Sequence, residues 1–107
     1  MPSNQPFTNL VTYVPKPGCF DALEALVIKH GPALKASGLI TDEPIRMWKA
    51  TNKHGEGPPY FVETFQWKDR EGPNLAMQSP EIMSVWEPIG EILEELTIAT
   101  LEPIVGS

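Results

Sequence analysis

The chain has 107 residues, 41% of them hydrophobic and 21% charged, the balance of one small folded domain and not of a disordered chain. Eight Lys and Arg stand against fourteen Asp and Glu, a net charge of −6 with no basic block, so no nucleic-acid partner is expected. No apolar run approaches the ~20 residues that cross a bilayer, so no membrane partner is expected, and the lone Cys19 excludes an internal disulfide and a Cys-based zinc site.

Residues 1–8 are rich in Pro, Ser and Asn and read as a flexible N-terminal tail, with residues 9–105 as a single domain. The tail lacks a charged-then-apolar leader, and a cytoplasmic location is expected. Thr8 to Val14 alternates with strand period, Leu10, Thr12 and Val14 on one side and Asn9, Val11 and Tyr13 on the other. Pro15 and Pro17 end that strand by withholding two backbone donors. Phe20, Leu23, Val27, His30 and Leu34 then follow at gaps of 3, 4, 3 and 4, one stripe of an amphipathic helix. Gly31-Pro32 is expected to kink or split it, and Gly38 to end it in a left-handed turn.

Pro44 to Thr51 and Tyr60 to Trp67 read as two strands of a hairpin around the turn-rich segment 52–59. A loop centred near His54-Gly55 sets Arg46 opposite Glu63 and Trp48 opposite Phe61, and a slip of one residue breaks that pairing. Asp69 to Gln78 is loop with a short helical turn. Ser79-Pro80-Glu81 then opens a second helix, with Ser79 as N-cap and Pro80 at the first helical position. Its stripe is Ile82, Trp86, Ile89 and Leu93, with Pro88 bending it and Gly90 weakening its end. Leu96 to Leu101 alternates as a last strand.

The order strand, helix, strand, strand, helix, strand predicts an α+β fold: a ferredoxin-like βαββαβ sandwich, a four-stranded antiparallel sheet with two helices on one face. On the third strand Phe61, Glu63, Phe65 and Trp67 form the heavier apolar side and belong under the helices, leaving Tyr60, Val62, Thr64 and Gln66 on the other. That second side, read with Ile45, Met47, Leu10, Val14, Leu96 and Ile98, is too apolar to stay wet. A second copy of the sheet covers it in a homodimer.

Lys16-Pro17-Gly18 at the first helix, Phe61-Val62-Glu63-Thr64-Phe65-Gln66-Trp67-Lys68 on the third strand and Ser79-Pro80-Glu81-Ile82-Met83 at the second helix resemble the antibiotic-biosynthesis-monooxygenase-like family of the dimeric α+β barrel superfamily. The resemblance spans Thr8 to Ile104. It implies a homodimeric barrel with a pocket between sheet and helices in each subunit. It also implies oxygenation of phenolic or anthrone-like aromatics without metal or flavin. Haem-degrading relatives use an Asn on the first strand, a Trp before the Ser and a His late in the second helix. Here Asn9 matches, but Ala76 and Trp86 occupy the other two positions, which counts against haem.

Glu63, an acid among aromatic rings, is the first candidate for catalysis: a general base for a phenol-like proton, or else a structural partner of Arg46. In the catalytic reading Arg46 stabilises developing negative charge. His30, on the apolar stripe of the first helix, is either a proton carrier or a satisfied core residue. Trp48, Phe61, Phe65, Trp67 and Trp86 either fill the core or line a site for a small apolar or aromatic molecule, with the Tyr13 hydroxyl reaching the same space. His54 and Cys19 have no assigned role. No ligand cluster, P-loop or Rossmann glycine set is present, so no metal, flavin, haem or other cofactor is expected. Two readings stay open: a cofactor-independent monooxygenase or related small-molecule enzyme, and a non-catalytic barrel that binds an apolar ligand or has a purely structural role.

Overall fold

The computed structural model describes residues 5–55 and 57–104; Met1 to Asn4, at the start of the expected tail, and Val105, the end of the expected domain, lie outside them. The strands are β1 (Phe7–Pro15), β2 (Arg46–Ala50), β3 (Tyr60–Trp67) and β4 (Leu93–Leu101), and the helices α1 (Phe20–Ser37), α2 (Gly72–Met77) and α3 (Pro80–Ile92). They form one four-stranded sheet of order β2-β3-β1-β4, antiparallel throughout. The two inner strands are thus β1 and β3. This is the expected ferredoxin-like α+β order, with α2 as a short extra helix. β1 starts at Phe7, so pairing of Phe7 with Trp67 and of Thr8 with Gln66 draws two residues of the expected tail into the sheet.

α1 carries Asp21 in its first turn and Lys35 in its last, both matched to the helix dipole, and stops at Gly38, whose φ of 73° needs no Cβ. It buries Leu23, Val27, His30 and Leu34 as one stripe. Gly31-Pro32 does not split it: the helix runs unbroken to Ser37, and both Pro32 and Ile28, whose carbonyl the missing N–H frees, are exposed residues. α3 starts as expected, Ser79 Oγ accepting from the Ile82 N–H at 3.3 Å. It ends one residue short of its expected stripe, because Leu93 is already extended and opens β4. The backbone N–H of Lys16 donates to the Ile92 carbonyl at 2.8 Å and ties this junction to the end of β1.

On β1 and β3 the expected parity holds. Asn9, Val11 and Tyr13, with Phe61, Glu63, Phe65 and Trp67, are buried on the helix side. Two other strands correct the expectation. In the hairpin Ala50 pairs with Tyr60, so Arg46 faces Thr64 and Trp48 faces Val62. The connecting segment, 51–59, has an odd number of residues and absorbs the extra one with left-handed glycines, Gly55 and Gly57 at φ 73° and 74°. The slip turns Arg46 and Trp48 to the open side of the sheet and brings Met47 onto α1, where its Cε lies 3.4 Å from the position of a Gly31 Cβ; Ile45 packs beside it at 3.7 Å. β4 is also reversed: Leu96 pairs with Tyr13 and Ile98 with Val11, so both lie on the helix side. No helix covers them, and Ile98 remains 59% exposed. The open face therefore holds Leu10, Val14, Val62, Trp48 and Leu101, not Ile45, Met47, Leu96 or Ile98.

Candidate functional site

Four polar side chains from four elements meet between the sheet and α1/α3. Tyr13 projects from β1, His30 from α1, Glu63 from β3 and Trp86 from α3. The Tyr13 hydroxyl donates to Glu63 Oε1 at 2.6 Å. His30 Nδ1 lies 3.0 Å from both Glu63 oxygens, and the Trp86 indole N–H donates to His30 Nε2 at 2.7 Å. Chemistry fixes the direction of each bond. An indole nitrogen only donates, so Nε2 carries the lone pair and Nδ1 the proton. Glu63 then accepts from two donors and gives none, the role of a carboxylate. The result is an ordered row, Trp86 to His30 to Glu63 from one end and Tyr13 to Glu63 from the other. Its central acid is 0% exposed and its imidazole 2%. A buried carboxylate is tolerable only when its oxygens are satisfied in this way. Burial, with the charge of Glu63 and the hydrogen bond to it in support, holds the Tyr13 phenol well above the usual tyrosine range.

The row forms part of the wall of a cavity of about 500 Å³, lined by apolar side chains from β1, β3, β4, α2 and α3. Tyr13, His30, Phe65, Trp67 and Trp86 reach it, and Glu63 stands behind Tyr13 and His30 without lining it. His30 meets the edge of Phe65 at a centroid distance of 5.8 Å, and Phe65 meets Trp67 at 5.1 Å. Two lining side chains keep buried polar atoms with no protein partner: Asn9 Oδ1 and Trp67 Nε1. A flat, mostly apolar molecule with a few polar atoms matches such a wall. A second groove, about 580 Å³, runs over Pro15, Pro17, Phe20 and Pro58-Pro59, and none of its lining residues is a buried polar one.

The expected site is thus partly assembled and partly dispersed. His30, Glu63, Tyr13, Phe65, Trp67 and Trp86 come together. Arg46 does not: it is exposed on the other face of the sheet, so the Arg46–Glu63 pair is absent and Arg46 cannot stabilise charge in this cavity. Trp48, 48% exposed on that same face, is not a lining residue either. Phe61 is on the helix side but stacks on Phe20 at 4.7 Å, away from the cavity. The sequence reading missed Leu96, Ile98 and Thr100 as lining residues, and Pro73 and Met77 from α2. Pairing of β4 with β1 through the buried parity of Asn9, Val11 and Tyr13 is the signal that finds the first three. Ala76, at the position where haem-degrading relatives hold a Trp, is buried, and the Trp86 N–H is engaged by His30. His54 is exposed in the hairpin loop, and Cys19 is half-buried at the N-cap of α1 with no capping bond. Among the described residues no three His, Cys, Asp or Glu side chains gather as a metal site, and no helix is long and apolar enough to cross a membrane.

No protein-family model matches the sequence, and no curated protein is significantly similar to it. Solved structures are. Rv0793 from Mycobacterium tuberculosis superposes with a TM-score of 0.73 at 17% identity, over 96% of this chain and 99% of that one. SnoaB from Streptomyces nogalater, a cofactor-independent oxygenase, gives 0.70 at 8% identity over 95% and 96%. A protein solved as an antibiotic biosynthesis monooxygenase gives 0.71 at 13% identity over 92% and 99%. These identities speak for shared architecture from end to end and not for a shared reaction. The chain has the ferredoxin-like α+β fold of the antibiotic-biosynthesis-monooxygenase-like proteins that its strand and helix motifs resemble.

Proposed function

We propose that the chain is a cofactor-independent monooxygenase, or a closely related small-molecule enzyme, acting on a small aromatic or polyketide-like substrate in the cavity between sheet and helices. The observation that supports this most is the buried row Trp86–His30–Glu63–Tyr13 at the wall of an aromatic cavity. His30, and not Glu63, is the base in this reading, because His30 lines the cavity and Glu63 does not. Glu63 accepts the Nδ1 proton, fixes the tautomer and stabilises the imidazolium that forms when Nε2 takes a proton. Tyr13 completes the acceptor set of Glu63. The deprotonated, electron-rich substrate then reacts with dioxygen. For a methylene between two aromatic rings, the methylene compound and one dioxygen give one ketone and one water. Both C–H bonds of the methylene break and a carbonyl forms, so the carbon is oxidised and dioxygen is reduced. One oxygen atom stays as the carbonyl and the other leaves as water, taking up both methylene hydrogens, including the proton held by His30.

In the same reading two copies pack through the open sheet face that carries Leu10, Val14, Val62 and Trp48, as the barrel requires. A cytoplasmic location accords with the single cysteine. One observation favours the alternative, a barrel that binds an apolar ligand without turnover: the lone pair of His30 is already engaged by Trp86. Oxygen uptake with 1,8-dihydroxyanthrone as probe separates the two readings. Uptake equimolar with carbonyl product is expected, falling about 10²–10⁴-fold in His30→Gln. Uptake no faster than in buffer, or a His30→Gln variant as fast as the parent, would remove the enzyme reading.

A further inference from the structure

We infer that Trp86 selects the ligand of this cavity: its indole N–H occupies the His30 lone pair, and only a molecule that brings a hydroxyl donor of its own displaces it. The inference rests on the proposed role of His30. A neutral imidazole has one lone pair in the ring plane, and at 2.7 Å the Trp86 N–H takes it along the hydrogen-bond direction. A substrate proton reaches Nε2 only if the indole leaves. The exchange is asymmetric between ligand types. A phenol or enol replaces N–H with O–H on the same lone pair, so the buried nitrogen stays satisfied. A hydrocarbon or ether that pushed the indole aside would strand Nε2 in a buried setting; it binds instead with the indole in place, without a bond to Nε2, on the order of tenfold or more weakly.

The surroundings of Trp86 permit the movement. His30 and Glu63 are buried, but Trp86 is only half-buried, so the packing that holds His30 and Glu63 in place does not enclose its whole ring. Gly90, one turn further along α3, also lines the cavity, and a Cβ there would meet no atom within 4 Å. The cavity therefore holds open space beside Gly90, on the same helix as the Trp86 ring. Trp67 differs: its ring meets Phe65 on one side, and at Gly72 even an added Cβ would lie 2.5 Å from it.

The test compares 1-naphthol with 1-methoxynaphthalene, which share a ring system and differ in the donor. The full chain, labelled with ¹⁵N, shows one indole resonance for each of its three tryptophans, and loss of one in Trp86→Phe assigns Trp86. Saturating 1-naphthol is expected to move the Trp86 indole proton upfield as the bond to His30 breaks. The methyl ether is expected to bind at least about tenfold more weakly and to leave that resonance in place. Trp86→Phe keeps a ring but removes the competing donor, so it is expected to bind 1-naphthol about fivefold more tightly or better, the opposite of what general damage to the wall would do. Saturation by 1-naphthol with the indole resonance unmoved overturns the inference and leaves the aromatic-cavity reading standing. Equal affinity for the two probes does the same. Failure of both to bind overturns the cavity reading and the inference with it. Should Trp86→Phe not fold, Trp48→Phe and Trp67→Phe assign the other two indole resonances, and the third, in the parent protein, decides alone.

Discussion

Replacing Glu63 by Gln changes no heavy-atom shape and reverses half of the local hydrogen-bond logic. Tyr13 O–H and His30 Nδ1–H both donate to this side chain, at 2.6 and 3.0 Å, and the Trp86 N–H prevents His30 from switching tautomer. The Gln oxygen at the Oε1 position still accepts from Tyr13 and lies 3.0 Å from His30 Nδ1, but the amide nitrogen sets a second donor against the same Nδ1–H at the 3.0 Å now held by Oε2. If the amide flips, Tyr13 must accept and its own proton loses its partner. Unflipped, two bonds to an ionised acceptor, about 1.5–3 kcal/mol each, become two neutral bonds of about 1 kcal/mol that share one oxygen and are opposed by the amide N–H; flipped, one buried donor is left unpaired as well. Relief of the desolvated charge offsets part of this, leaving a net loss of about 2 kcal/mol. For a domain of this size that lowers Tm by about 8–16 °C. Urea unfolding at fixed protein concentration is the assay, with an unchanged m-value expected. Tyr13→Phe removes one of the competing donors. Its cost should therefore be smaller in the Glu63→Gln background, with a coupling of at least about 0.5 kcal/mol. A Glu63→Gln protein as stable as the parent would refute the donor–acceptor assignment, and with it the tautomer on which the role of His30 depends.

Three further outcomes follow from other parts of the molecule. Gly72→Ala places a Cβ 2.5 Å from Trp67 Cε3, against a buried ring that cannot yield, so a loss of about 1–3 kcal/mol and a shifted Trp67 emission are expected; unchanged denaturation would mean that α2 sits elsewhere. Because the folded-state value of Tyr13 is raised above its ordinary 10.0, the unfolded chain loses this proton first, and stability should fall above that pH by up to about 1.4 kcal/mol per unit; Tyr13→Phe should lose that slope, as urea titrations at several alkaline pH values would show. Val62, on inner strand β3 between Thr12 and Trp48, lies near the middle of the open face, so Val62→Lys should halve the mass seen by light scattering or unfold the chain; a parent protein that scatters as a single chain at micromolar concentration would contradict the barrel assembly.

Much of this architecture is written in local pattern. The helix stripe from Phe20 to Leu34, the Ser79-Pro80-Glu81 start of α3 and the alternation of β1 and β3 follow from periodicity and capping, which act over a few residues. They sufficed to put His30, Glu63, Tyr13, Phe65, Trp67 and Trp86 on the inner side of the sandwich, and the ferredoxin-like order followed from them. What failed was relative register. One residue in the 51–59 connection decides whether Arg46 or Met47 faces Glu63, and no local propensity distinguishes the two. The β4 parity failed for the same reason: its register on β1 sets Leu96 and Ile98 on the helix side, and its own alternation does not say which side that is.

By itself, then, the sequence determined the elements, their order and which side of β1 and β3 is dry, because these depend on spacing along the chain. The tertiary structure alone decided the partners of Glu63. A buried carboxylate must be satisfied by whichever donors the packing brings within about 3 Å. Here those donors come from β1 and α1, 50 and 33 residues away, and not from the neighbouring strand of its hairpin.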